Sequence, residues 1–92
     1  MISLPVVMSE AAAADLETIL LILETTQGIE AANSFMNRFL DYLPMTGTNP
    51  EFRPKREFNG YIYYRFVHPA WNYIFYYDII DNQVVIFHIV GL

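Results

Sequence analysis

The sequence predicts an α+β domain with a short N-terminal strand, a helical hairpin and then a three-stranded antiparallel sheet. Two observations predict this order. Apolar residues recur at helical spacing through residues 10–43, and residues 61–90 are rich in the Tyr, Phe, Ile and Val that fit a pleated surface. A chain of 92 residues has room for one core, so we expect a single domain over residues 1–92.

The chain begins with a predicted strand and a predicted helix. Residues 5–8, PVVM, are short and β-branched and open with proline, which suits the start of a strand. Ser9 follows as a helix cap, and Glu10 lies near the positive end of the helix. Gly28 is a natural stop, so the helix is expected to end at about Gln27. Its buried stripe is expected to hold Leu16, Ile19, Leu20 and Leu23.

A second helix is predicted from about Ile29 to Leu43, because Pro44 interrupts the helical hydrogen bonds. It follows the first helix so closely that the two should fold back as a hairpin. Residues 45–60 contain two Gly, two Pro and most of the positive charge, and they are predicted to form a loop. The expected buried face of the second helix consists of Ala32, Phe35, Met36, Phe39, Leu40 and Leu43.

Three strands are predicted in the last third of the chain, over Tyr61–Val67, Tyr73–Ile80 and Val84–Val90. Residues 68–70, HPA, form the turn between the first two strands. Residues 81–82, DN, suit a tight hairpin between the last two, because Asp and Asn tolerate positive φ. The expected order of elements is therefore β-α-α-β-β-β.

Apolar residues fall on both faces of the predicted sheet. In residues 72–92, aliphatic and aromatic side chains occupy both parities of each strand. One helical hairpin covers only one face, so the second face is expected to be free for a partner. The mean hydropathy is +0.26 and 54% of the residues are hydrophobic. We therefore expect a homodimer through this apolar surface when no partner is present.

The charge of the chain limits its partners. Ten acidic and five basic residues give a net charge of −5, which argues against a general nucleic-acid binder. The absence of cysteine excludes disulfides and favours a cytoplasmic location. The start of the chain lacks the pattern of a signal peptide, and no apolar stretch is long enough to predict a membrane span. Four of the five bases follow the helices, namely Arg53, Lys55, Arg56 and Arg65.

This basic group is the first candidate site. Arg53, Lys55 and Arg56 either bind an anionic partner or simply solvate a loop. Arg65 is the only base inside a predicted strand. It either projects towards a ligand or forms an ion pair with Asp78 or Glu57 on a neighbouring strand.

The two histidines offer little catalytic chemistry. His68 precedes a proline at a turn and is expected to be exposed. His88 lies in the last strand and is expected to share a face with Ile86 and Val90, as a half-exposed histidine rather than a general base. Neither histidine has cysteines or clustered acids near it in the sequence, so we expect no metal site. No phosphate-binding loop or nucleophile motif is present, and no cofactor is expected.

Four motifs, in their order along the chain, resemble those of the RelE/ParE superfamily of toxins from bacterial type II toxin–antitoxin modules. They are A..DLE.I in the first helix, G.EAA..F...F...L in the second, the loop P..G.NPEFR and the closing hairpin Y.FYYDI.DNQVVIF.I.G. The resemblance covers nearly the whole chain. It implies a small toxin of a plasmid-stabilisation module, held inactive by an antitoxin that wraps around it. In that family the ParE-like branch poisons DNA gyrase, and the RelE-like branch cuts messenger RNA on the ribosome.

The resemblance also implies where a partner and an active site lie. The antitoxin is expected on the uncovered face of the sheet and in the groove beside the helices. RelE-like ribonucleases carry several bases on the sheet, but the strand position that is commonly Arg is Ile74 here. Arg65 and His88 remain as catalytic candidates, so we expect inhibition by binding rather than RNA cleavage. The alternatives are a non-toxic interaction module with the same fold and a RelE-like mRNA interferase.

Overall fold

A helical hairpin lies against one face of a five-stranded sheet. The computed structural model describes all 92 residues. Neither helix is long and apolar enough to cross a membrane. The elements are, in order, β1 (Val6–Met8), α1 (Glu10–Gln27), α2 (Ile29–Thr46), a 3-10 turn (Pro50–Phe52), β2 (Lys55–Phe58), β3 (Tyr61–Val67), β4 (Tyr73–Ile80) and β5 (Gln83–Gly91).

The ends of α1 follow the predicted capping. The Oγ atom of Ser9 accepts the amide N–H of Ala12 at 3.1 Å, which satisfies one of the free donors in the first turn. Gly28 has φ of 94°, a value that glycine adopts without strain, and its N–H donates to Glu24 O at 3.1 Å. The predicted stripe on this helix is confirmed, because it packs on the core through Leu16, Ile19, Leu20 and Leu23.

The second helix is longer than predicted, because α2 continues through Pro44 to Thr46. Proline costs only one hydrogen bond when it lies in the last turn, where several carbonyls lack helical partners in any case. The hydroxyl of Thr46 donates to Tyr42 O at 3.0 Å, and the N–H of Gly47 donates to Pro44 O at 3.1 Å. These bonds hold the final turn in place of the missing one.

The buried face of α2 is rotated slightly from the prediction. Leu40 is 58% exposed, so its assignment to the core is wrong. The fully buried positions are instead spaced by three and four residues through Phe35, Phe39, Tyr42 and Thr46, with Ala32 before them. Tyr42 was missed because its hydroxyl makes it a poorer core residue in a sequence pattern.

The prediction of a loop over residues 45–60 is wrong, since this segment contains the 3-10 turn and strand β2. β2 pairs antiparallel with β3, with Lys55 opposite Tyr64 and Phe58 opposite Tyr61. Residues 59–60, Asn-Gly, have φ of 51° and 85° and form the tight turn between the two strands. Three of the four residues of β2 are charged, so no alternation of apolar side chains marked the strand.

The sheet order is β1-β5-β4-β3-β2. β1 pairs in parallel with β5, whereas β5, β4, β3 and β2 are successively antiparallel. The predicted positions of β3 and β4 and the hairpin at residues 81–82 are confirmed, and both hairpin residues have positive φ. The N-terminal strand and β2 therefore extend the predicted three-stranded sheet to five strands.

A β-bulge in β5 changes the face on which His88 lies. Tyr77 pairs with Ile86, but Tyr76 pairs with His88, so Phe87 is an extra residue between them. Ile86 is buried beneath the helices, whereas His88 contacts the ring of Phe58 on the other face. The expectation that His88 shares a face with Ile86 is therefore wrong.

The core lies between the helical hairpin and the sheet, and aromatic rings dominate it. Phe39 meets Phe75 edge-on at 5.7 Å, and Trp71 meets Phe75 in the same way at 5.2 Å. The opposite side of the sheet carries no helix. We call it the open face, and its side chains include Phe58, Tyr63, Arg65, Ile74, Tyr76, Asp78, Phe87 and His88.

Candidate partner-binding face

Aromatic rings from four strands meet on the open face. Phe58 on β2 stacks on Tyr76 on β4, with ring centroids 4.6 Å apart and planes inclined by 18°. Tyr63 on β3 approaches Phe87 on β5 at 5.6 Å and His88 at 5.9 Å. Strand alternation and the bulge place these rings on one side, so β2 to β5 share one aromatic surface.

This surface is apolar even without a covering element. Ile74 is only 4% exposed and Tyr76 only 8%, although no helix lies over them. Large neighbours on adjacent strands shield them, such as Val67 and Val90, which pair with Ile74. Ile74 and Tyr76 therefore lie beneath their neighbours, and the apolar side chains that another molecule can cover are the exposed Val67 and the half-buried Tyr63 and Phe87.

One row of residues crosses the open face. Arg65 on β3 pairs with Tyr76 on β4, and Tyr76 pairs with His88 on β5. The structure therefore brings together the two catalytic candidates, with a tyrosine between them. The Tyr76 hydroxyl makes no hydrogen bond within the chain and remains available.

Asp15 of α1 contacts His88, the residue of this row that lies on β5. Its Oδ2 atom lies 3.4 Å from Nδ1 of His88 and accepts the N–H of Ile89 at 3.0 Å. β1 pairs with β5 only as far as Ile86, so Asp15 satisfies a strand-edge donor that β1 does not reach. This contact makes the carboxylate a positioning group for the His88 ring.

Sequence reasoning missed Asp15. Asp15 and His88 are far apart along the chain, so their contact cannot be read from the sequence. One feature of the sequence nevertheless marks Asp15 as a residue that needs a partner. Asp15 stands three residues after Ala12 and four before Ile19, and so falls on the buried stripe of α1. An acid on a buried stripe requires a partner.

Arg65 is the one arginine without a partner. Its side chain makes no hydrogen bond or ion pair, and its Nε atom is buried. Asp78 instead accepts the N–H of Ile79 at 2.8 Å, and the alternation of β2 places Glu57 on the helix side of the sheet. The predicted alternative of an ion pair with Asp78 or Glu57 is therefore wrong.

Arg53 serves the fold. Its Nη1 atom donates to Thr46 O at 2.8 Å and to the Tyr77 hydroxyl at 3.1 Å. Its Nη2 atom donates to Met45 O at 2.7 Å and to Thr48 O at 3.2 Å. The guanidinium thus caps the carbonyls at the end of α2, where the helix dipole favours a positive charge.

Tyr77 completes this capping group beneath the sheet. Its hydroxyl donates to Pro50 O and accepts from Arg53. Burial raises the pKa of the Tyr77 hydroxyl above its ordinary value of 10.0, and the neighbouring Arg53 partly opposes that rise. The neutral phenol is therefore part of the folded structure.

The remaining bases of the predicted group lie on different faces. Nζ of Lys55 sits 4.7 Å above the ring of Tyr64 on the helix side. Arg56 pairs with Tyr63 on the open face, and its Nη1 donates to Lys55 O at 2.8 Å. The structure thus divides the four bases, with Arg56 and Arg65 on the open face and the other two on the helix side.

A separate groove lies near the end of the helical hairpin at which α1 turns into α2. It has a volume of about 510 Å³ and runs past Leu23 of α1, Phe35 of α2 and Trp71 before β4. Arg38 lines it and donates to Ala70 O at 3.1 Å. No group of three or more His, Cys, Asp or Glu side chains comes together here or elsewhere to hold a metal ion.

His68 is not the exposed turn residue that the sequence predicted. It is half-buried, and its ring stacks on Tyr42 with centroids 4.2 Å apart. Its Nδ1 atom accepts the N–H of Ala70 at 3.1 Å, which holds the turn. This histidine serves the packing between α2 and the sheet.

No protein-family model and no curated protein matches the sequence. Among solved structures, a chain of "Chromosomal ParDE TA system from P. aeruginosa" is similar with a TM-score of 0.79 and 17% sequence identity. The likeness covers 98% of this chain and 97% of that chain. The predicted α+β fold is thereby confirmed, because this chain shares its fold with that chain over nearly its whole length.

Proposed function

We propose that this protein is the toxin component of a type II toxin–antitoxin module and that a cognate antitoxin neutralises it. The observation that carries the proposal is the likeness in fold, over nearly the full length of both chains, to a chain of a ParDE toxin–antitoxin system from P. aeruginosa. Fold alone does not determine function. The open face adds an independent feature, since it is an apolar surface that the chain's own helices leave uncovered.

The antitoxin is proposed to bind on the open face. Recognition by filling a groove or covering a sheet uses apolar anchors with a few polar contacts around them. The exposed Val67 and the half-buried Tyr63 and Phe87 supply the apolar area, while Arg56 and Arg65 supply positive charge beside it. Lys55, on the other side of the same edge strand, lies at the margin of this surface.

The proposed mode of action is binding to a cellular target in the bacterial cytoplasm. Cleavage of RNA is supported less well, because the open face has only two arginines, and Asp78 shares that face. A ribonuclease must neutralise the phosphate charge that develops during the reaction. The resemblance to the ParE-like branch implies DNA gyrase, which is the proposed target, with the ribosome as the alternative.

Induced expression tests the proposal. Cells that produce the protein alone should stop growing. Co-expression of the neighbouring small reading frame should restore growth, and its product should co-purify with this protein as a complex. Supercoiling by gyrase and ribosome-dependent RNA cleavage then distinguish the two targets. Unimpaired growth with no co-purifying product would favour a non-toxic interaction module instead.

A further inference from the structure

The guanidinium of Arg65 on the open face has no partner within the chain. Each of the other three arginines donates to a carbonyl: Arg38 to Ala70, Arg53 to the end of α2, and Arg56 to Lys55. The backbone N–H of Arg65 donates to Pro54 O, but its side chain donates to nothing in the chain, and its Nε atom is shut off from solvent. A buried donor without an acceptor is costly, and so is a half-buried charge without a counter-charge.

We propose that Arg65 is the receptor for a carboxylate of the partner segment that covers the open face. The partner then presents one Asp or Glu between apolar residues. This rests on the proposed function in so far as that partner is the antitoxin. A guanidinium offers two parallel N–H donors that match the two oxygens of a carboxylate.

The surroundings of Arg65 define the rest of the partner's chemistry. Its cross-strand neighbour is the ring of Tyr76, and two positions along β3 stand Tyr63 and Val67. Apolar residues flanking the acid would cover these side chains and exclude water. An ion pair shielded in this way is much stronger than one at an exposed surface.

Charge favours an acidic peptide over a nucleic acid. A nucleic acid brings a phosphate with every nucleotide and needs a series of bases to match. The open face has Arg65 and Arg56, with Asp78 on the same side and Asp15 beside His88. One carboxylate satisfies Arg65 without meeting these acids, whereas a run of phosphates would be repelled by them.

The test uses the isolated, isotope-labelled protein and a small probe. The side-chain Nε–H signal of each arginine is followed by NMR while 3-phenylpropionate is added, with 3-phenylpropionamide as the neutral control. The Arg65 signal should shift and saturate in the millimolar range with the carboxylate, but not with the amide. The Arg53 signal is an internal reference, because its guanidinium is already held by carbonyls.

Two variants make the outcome specific. Arg65→Gln should weaken binding of the carboxylate about tenfold or more, and Arg65→Lys should retain part of it. Their backbone amide spectra report whether each variant is folded. Equal shifts with carboxylate and amide, or shifts that survive Arg65→Gln, would overturn the proposal.

A third arm uses a short single-stranded oligoribonucleotide as the probe. If it binds through Arg65 more tightly than the carboxylate does, the site is a phosphate site and the proposal is wrong. The experiment needs neither toxicity nor an antitoxin. A non-toxic protein can therefore still confirm the carboxylate site, and a toxin can lack it.

Discussion

Asp15 on α1 and His88 on β5 meet with a carboxylate oxygen 3.4 Å from Nδ1, although α1 lies mainly behind the other face of the sheet. The same oxygen accepts the N–H of Ile89 at 3.0 Å. The helix therefore reaches around the edge of β5 where β1 has ended. Through one side chain, the helical hairpin is connected to the open face.

Replacing Asp15 with alanine should destabilise the protein by about 1–2 kcal/mol, because the Ile89 N–H loses its acceptor and His88 loses its neighbouring carboxylate. Urea unfolding measures the loss, and hydrogen exchange should accelerate at the Ile89 amide. Glu17→Ala on the exposed side of the same helix is the control and should change stability by less than about 0.5 kcal/mol. Equal effects of the two variants would contradict the edge-capping role.

Arg53 and Arg65 should respond oppositely to replacement by methionine. Arg53→Met removes four hydrogen bonds to the end of α2 and to Tyr77, so a loss of roughly 2–3 kcal/mol is expected. Arg65→Met removes a charge that has no partner and should leave the melting temperature unchanged or raise it. Thermal unfolding of the two variants side by side tests this. A lower melting temperature for Arg65→Met would indicate a contact absent from the structure.

Stability should fall at alkaline pH through Tyr77. Its pKa is raised by burial, so the folded state favours the neutral phenol. The stability that this group contributes is fully present below the unfolded-chain pKa of about 10, and it is lost as the pH rises through the higher folded value. The free energy of unfolding should be measured as the pH is raised from neutral to above about 10.

Tyr77→Phe is the control for the alkaline transition. It loses the hydroxyl contacts with Pro50 and Arg53 and should be less stable at neutral pH. The part of the alkaline decline that belongs to Tyr77 should disappear in this variant. The same decline in both proteins would assign it to other tyrosines or lysines.

The division of the bases between two faces predicts a difference in association. Arg56→Glu with Arg65→Glu should slow the association of an acidic antitoxin and weaken its salt dependence, because both positions face the proposed partner. Lys55→Glu, on the helix side of the same strand, should have a smaller effect. Surface plasmon resonance at two salt concentrations separates these variants. Equal association rates would remove the open-face bases from partner recognition.

Gly47 should tolerate no larger residue. A Cβ atom there would lie 2.2 Å from Leu4 O and 2.9 Å from Val6 Cγ2, and the Leu4 N–H donates to Gly47 O at 2.9 Å. Gly47→Ala must push the first strand away and should cost about 2–3 kcal/mol. Gly60→Ala meets no neighbouring atom and carries only the strain of φ at +85°, about 1 kcal/mol. Chemical denaturation should rank the two variants in this order.

Local chemistry made much of the fold predictable. The cap at Ser9, the stop at Gly28 and the turn at residues 81–82 each act over a few residues, and their predicted positions agree with the structure. β2 was missed because its pairing with β3, rather than its own composition, makes it a strand. The end of α2 was misplaced because the bonds around Thr46 and Arg53 compensate for Pro44.

The candidate face was less predictable, because its geometry depends on long-range pairing. The sequence indicated a second apolar face and named Arg65, but the bulge at Phe87 decides that His88 joins it. The pairing of Asp15 with His88 joins opposite ends of the chain. Arg53 resembled its basic neighbours in sequence, and only the packing against α2 distinguishes it from them.

The strand order has a consequence for synthesis of the protein. β1 pairs only with β5, and β5 is translated after the other four strands. The helical hairpin is translated before β5, the strand that joins β1 to β4. At a translation rate of roughly 5–20 residues per second, the delay between them is several seconds. A nascent chain that stops before β5 lacks the strand that joins β1 to β4, and it lacks the Phe87 and His88 rings of the aromatic surface. The complete five-stranded sheet, and any inhibitory activity that depends on it, therefore forms only after β5 has been translated.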